Sequence, residues 1–189
     1  FSLDEMIKIW DPSRISKSPA IFDPLKLRAI NAAYIRALPA EEFRRLADPF
    51  IDSAVHCDID RDLLCANLQP RCEVLEDIPP QLDFFDAVLP IDAEMYRNKK
   101  QKTTPESAKE ALTALLPVLE AQTDWTRDAI FEACKTLAEQ MEKKNGWLLF
   151  PLGIALSGKA RTPGGGTDLA AMMGKAETLK RVKDALGKL

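Results

Sequence analysis

The sequence predicts an all-α fold. Apolar residues recur at three- and four-residue spacing along most of the chain. Aspartate or threonine stands directly before proline where such runs begin, as at Asp23-Pro24 and Thr104-Pro105. No stretch shows the polar–apolar alternation of a strand. With 189 residues and 46% hydrophobic content the chain can bury a substantial core. The expected architecture is two packed helical subdomains, residues 1–98 and 99–189. The polar connector Arg97-Asn98-Lys99-Lys100-Gln101-Lys102 marks the boundary.

The elements follow in order. Asp23 caps a helix with Pro24 at its first position, and Leu27, Ile30, Tyr34 and Leu38 share one face. A second helix starts near Ala40, with Phe43, Leu46, Phe50 and Val55 on its apolar side and a kink expected at Pro49. A third spans about Asp60 to Leu68 and stops at Pro70. Pro79-Pro80 breaks the chain before Leu82, Phe84, Phe85 and Val88. Thr104-Pro105 restarts a helix striped by Ala108, Leu112, Leu115 and Leu119, and Ile130, Cys134, Leu137 and Met141 stripe the next. Trp147-Leu148-Leu149-Phe150-Pro151 is short and apolar, and periodicity does not separate a strand from a buried helical turn there. Arg161-Thr162-Pro163-Gly164-Gly165-Gly166 is a loop, because three glycines hold regular structure poorly. Thr167 is expected to cap a short helix ending at Gly174, before a last helix carrying Leu179, Val182 and Leu186.

Charge is uneven. The net is −3, but residues 1–98 hold 11 basic against 18 acidic side chains, a net of −7. Residues 99–189 hold 15 against 11, a net of +4, and from Lys143 onward the balance is 9 against 3, a net of +6. A basic C-terminal end points to an anionic partner, although solvated charge alone gives the same counts. Cys57, Cys65, Cys72 and Cys134 contain no CxxC pair and read as buried reduced thiols of a cytoplasmic protein rather than a disulfide framework. No metal site is expected, since His56-Cys57 lacks further ligands. No apolar run reaches membrane-spanning length, so no membrane is expected as partner. The chain begins with Phe rather than Met and reads as a piece of a longer protein.

Catalytic chemistry finds no foothold. Ser16-Lys17-Ser18 looks like the ATP loop of class I aminoacyl-tRNA synthetases, but that loop works beside a nucleotide-binding parallel sheet, and no such pattern exists here. Pro19 forces Ser18 to be extended, so the stretch reads as a loop leading into a helix. His56 is the only histidine, and its neighbours Cys57 and Asp58 stand too close in sequence to form a triad with it. The Pro-Gly-Gly-Gly loop lacks the Gly-Lys-Ser/Thr ending of a phosphate loop. Acidic pairs such as Glu41-Glu42 sit on polar faces.

Three stretches carry a family resemblance. DPSRISKSPAIFDPLKLRAINAAYIRAL resembles the segment of bacterial glutamyl-tRNA synthetases that follows their catalytic core. LQPRCEVLEDIPPQLDFF is similar to the middle of their anticodon-binding part, and WLLFPLGIALSGKARTPGGGTDLAAMMGKAETLKRVKDAL to their C-terminal end. The order is kept along the whole chain. The resemblance implies an anticodon-binding helical cage for the anticodon arm of glutamate tRNA, working as a monomer. It serves a glutamate–tRNA ligase whose catalytic domain, with its ATP and magnesium, lies outside this chain; the fragment needs no cofactor of its own and does no chemistry. It implies that Arg71 reads the third anticodon base, because a guanidinium suits the acceptors O2 and N3 of cytosine and meets donors on guanine. It assigns Thr162, Pro163, Gly164 and Gly165 to the anticodon, where glycines let backbone approach bases. Lys159 and Arg161 are candidate phosphate contacts. One departure stands out: many members have Pro-Leu-Arg where this chain has Pro151-Leu152-Gly153, and that arginine also approaches the anticodon. A helical protein-interaction module of the same descent is the alternative reading, and a source with two such synthetases of different tRNA preference is a third.

Overall fold

The computed structural model describes residues 1–15 and 21–189. The Ser16-Lys17-Ser18 look-alike and Pro19 therefore lie outside the described residues. Eight α-helices carry the described fold: α1 (Leu3–Ile9), α2 (Pro24–Ala37), α3 (Ala40–Asp52), α4 (Arg61–Leu68), α5 (Pro105–Ala121), α6 (Arg127–Gln140), α7 (Asn145–Ser157) and α8 (Gly166–Leu186). Among the described residues there is no strand, only an isolated antiparallel bridge between Asn98 and Thr103. The fold is all-α.

The starts obey the cap chemistry. Asp23 Oδ1 accepts from the backbone N–H groups of Leu25 and Lys26, 3.0 and 3.2 Å away. Asp60 accepts from Leu63 N–H at 2.9 Å. Thr104 and Ser107 cap each other reciprocally ahead of α5. Each partner satisfies an N–H that the first helical turn leaves orphaned. Pro49 is accommodated inside α3 without ending it.

The apolar run at Trp147 is helical, and α7 is the central element. Its buried residues Trp147, Leu148, Leu152, Ile154, Ala155 and Leu156 lie on every side of the helix. A helix apolar all round belongs in the interior, and α5, α6 and α8 pack around it. The expected stripe of α5, Ala108, Leu112, Leu115 and Leu119, is buried; of the α6 stripe Ile130 and Cys134 are buried, and Leu137 and Met141 partly so. One core runs from Ile35 in α2 to Ala185 in α8.

Three expectations need correction. The stripe of α2 forms, but Leu27, Ile30 and Tyr34 are exposed; Ala32 and Ile35 face the core instead. α2 is held largely through polar ties of its other side, with Arg28 paired to Glu73 and Asp77 and Asn31 bonded to the Glu73 carbonyl. The first described residues are open in the same way: α1 has no buried residue, and Phe1 and Ile21 are 86% and 91% exposed. Thr167 does not cap α8. Gly165 holds the cap position, its N–H donating to the Asp168 carboxylate at 2.7 Å, and Thr167 is buried. Of the four cysteines, Cys65, Cys72 and Cys134 are buried, but Cys57 is exposed.

The break at Gly174 is real. Its φ of 78° and ψ of 167° divide α8 into a short and a long segment, a left-handed φ that suits a residue without Cβ. The carbonyls released by the break find donors elsewhere: Trp125 Nε1 and Thr178 Oγ1 reach Ala170 O, and Asp60 N–H reaches Met172 O.

Candidate nucleic-acid interface

Two chain segments ninety residues apart meet at one groove. α4 runs into a 3₁₀ turn, Gln69–Arg71, because Pro70 can start such a turn but cannot continue the helix's hydrogen bonds. Gln69 ties this turn to the end of α2 through the carbonyls of Ile35 and Leu38. Arg71 follows, exposed, and its Nη1 donates to the Thr162 carbonyl at 3.4 Å. The turn thereby delivers a guanidinium to the edge of the glycine loop.

The loop is fixed by its own bonds. Thr162 Oγ1 donates to Gly164 O at 2.5 Å. Asp168 receives Gly165 N–H on one carboxylate oxygen and faces Arg127 Nε at 3.2 Å with the other. The close approaches explain two glycines. A Cβ on Gly164 would stand 2.6 Å from Asp168 Cβ, and one on Gly166 would stand 2.7 Å from Leu149 O. Gly166 is thus where the start of α8 presses on α7.

The result is an open cavity of about 590 Å³. Its cations are Arg71, Arg127, Lys159 and Arg161, and Asp168 is its one carboxylate. Phe131, Leu149 and Phe150 give it an apolar wall; of the two loop glycines that line it, Gly165 is exposed and Gly164 is buried. Arg127 lies 5.6 Å from the centroid of the Phe131 ring. A flat aromatic–guanidinium surface beside a glycine without side-chain bulk suits an unstacked base; the surplus of cations suits phosphate. Gly153 lines the same cavity, and a Cβ there would meet nothing closer than 3.9 Å, so the space in front of it is open.

Of the residues singled out in the sequence, Arg71, Thr162, Gly164, Gly165, Lys159 and Arg161 all line the groove. Pro163 is buried behind it. Lys159 is committed within the protein: its ammonium donates to Pro80 O at 2.9 Å, pairs with Asp83 and lies over the Phe84 ring. Arg161 is the more exposed cation of that pair. Trp147 belongs to the core, whereas Phe150 is half-buried at the groove. The sequence did not disclose Arg127, Phe131 or Asp168. Nothing in a lone arginine at a helix start tells that the helix aims it at a distant loop.

Comparison with known proteins shows the family and the fold. The family profile described as "Anticodon binding domain" matches residues 27–186. The glutamate–tRNA ligase of Clostridium botulinum (strain Hall) is 43% identical over all 189 residues, and that of Clostridium tetani 42%. The chain spans 39% of the length of each. The crystal structure of a glutamate tRNA ligase from Elizabethkingia meningosepticum, in complex with its amino acid, superimposes with a TM-score of 0.83 at 26% identity, covering the whole chain and 37% of that protein.

Proposed function

Since the chain belongs to the anticodon-binding domain family, we propose that it is the module by which a glutamate–tRNA ligase holds the anticodon arm of glutamate tRNA. The observation that carries the proposal is the meeting of Arg71 with the Thr162 loop in a cationic groove. Arg71 presents its guanidinium to the third anticodon base. The exposed Gly165 lets a neighbouring base approach the loop closely, Arg127 over Phe131 supplies a stacking face, and Arg161 meets phosphate.

Charging tRNA with glutamate at the expense of ATP and magnesium belongs, in this reading, to the catalytic domain of the same ligase. The exposed apolar residues of α1 and α2 are where the rest of that enzyme packs. The ligase works as a monomer in the cytoplasm; none of the described helices is long and apolar enough to cross a membrane. The protein-interaction alternative is less favoured, because scattered charge would serve it equally well, whereas cations here gather around the glycine loop.

The experiment is an NMR titration of the chain with a stem-loop RNA carrying the glutamate anticodon. The amides of Gly164 and Gly165 and the guanidinium of Arg71 shift first. Shifts confined to the exposed face of α1 and α2 would contradict the reading.

A further inference from the structure

Next to the groove the chain folds two lysine-bearing turns together. The first is the connector Lys99-Lys100-Gln101-Lys102, closed by the Asn98–Thr103 bridge. Asn98 Oδ1 accepts from the backbone N–H groups of Lys100 and Gln101, at 2.9 and 3.1 Å. The second is Lys143-Lys144, leading into α7. Gln101 joins them. Its carboxamide lies where a Cβ of Gly146 would be, with Oε1 1.8 Å from that position, so the Gln101 side chain rests against the start of α7. Gln101 and Gly146 also form one wall of the groove.

All five lysines are exposed. Lys135, Lys159, Lys180 and Lys183 each pair with a carboxylate; among the described residues these five pair with none, and neither do Lys8, Lys26, Lys109, Lys175 and Lys188, which are not gathered on these turns. Glu94 is engaged by Arg97, and the other acids near in sequence, Glu106, Glu139 and Glu142, form no ion pair with these lysines among the described residues. Lys143 lies over the Trp147 ring, 5.4 Å from its centroid. Lys102 holds a left-handed backbone, with φ of 56°, where glycine or asparagine would sit more easily. Like charges placed side by side on a bond-locked turn, one of them at a disfavoured φ, work against the fold alone.

We propose that Lys99, Lys100, Lys102, Lys143 and Lys144 form a phosphate-binding rim that carries the backbone of the RNA away from the anticodon groove. The inference rests on the anticodon-arm reading and extends its footprint. The rim supplies attraction without base preference, whereas Arg71 supplies preference. Each lysine that meets a phosphate releases counterion, so removing it flattens the salt dependence of binding by about 0.7 in log K per log salt on a single strand.

The test measures affinity for two stem-loop RNAs, with C or G at the third anticodon position, across a salt series. Wild type is compared with a variant carrying K99Q, K100Q, K102G, K143Q and K144Q, and with K102G alone. The combined variant is expected to bind both RNAs more weakly and with a flatter slope, while the C-over-G ratio stays as in wild type. K102G is expected to melt no lower than wild type yet bind more weakly, which a merely structural lysine would not do. Unchanged affinity and slope in the combined variant, with the C-over-G ratio intact, overturn the rim and leave the anticodon reading standing. A flattened slope without any C-over-G preference in wild type supports the rim and removes Arg71 as reader. Wild type without salt-dependent binding to either RNA overturns both.

Discussion

Arg71 and Arg181 show how the same side chain serves opposite ends. Arg181 is 3% exposed and spends its donors inside the protein, on the carbonyls of Phe84, Phe85 and Leu156 and on Glu177. It clasps α8 to α7 and to the Phe84-Phe85 segment between α4 and α5. Arg181→Met leaves three buried carbonyls unserved, so urea denaturation is expected to show a loss of about 3 kcal/mol. Arg71 makes one long bond to a carbonyl and keeps the rest of its donors free; its replacement is expected to leave stability nearly untouched. Asp86 works locally. Its carboxylate accepts from the His56 ring at 2.6 Å and from the N–H groups of His56 and Cys57. These bonds, the His56 side chain first, hold it well below the usual carboxylate range. A folded pKa below the unfolded one, about 4, gives stability that is present above pH 4 and lost as pH falls through the lower folded value. Asp86→Asn is expected to remove that part of the acid-side decline in an acid titration. The thiols divide as well: burial pushes Cys65 and Cys72 to about 11 and Cys134 to about 12. A thiol reagent added to the native chain is expected to label Cys57 and spare the other three.

The α8–α7 contact decides where the groove lies. Gly166 sets it, with a Cβ there 2.7 Å from Leu149 O and 3.0 Å from Gly153 N. Gly166→Ala forces the start of α8 outward, costing about 1–3 kcal/mol and moving the glycine loop away from Arg71, so melting and RNA affinity should fall together. Elements with a local signal were legible in the sequence. Asp23, Asp60 and Thr104 cap helices because an oxygen acceptor at the right position is a short-range event. Gly174 ends a helical segment for an equally local reason. α7 was ambiguous because an element apolar on all sides has no periodic face. The buried face of α2 was misjudged because its apolar stripe is turned away from this core, which only the tertiary arrangement reveals. Arg71 and the Thr162 loop were singled out through family likeness, and they line one groove. Arg127 and Phe131, which line the same groove, were not, since their position there depends on the packing of α6 against α8.

Across the molecule, charge and burial are both graded along the chain. The acidic first half and basic second half place the cations around α6, α7 and the start of α8. Buried apolar residues begin only at Ala32 among those described. Removing residues 1–15 is therefore expected to leave the melting temperature unchanged, because α1 buries nothing; a clear drop would show that α1 supports this fold after all. The central claim is that Arg71 reads a base across the groove closed by Thr162. It is tested most directly by the affinities of wild type and Arg71→Gln for the C and G versions of the third anticodon position at one fixed salt concentration. Wild type should prefer C by roughly 1–3 kcal/mol, the scale of one well-made guanidinium–base contact, and Arg71→Gln should bind both equally without losing stability. A variant that keeps the preference would show that the groove selects its RNA by other residues.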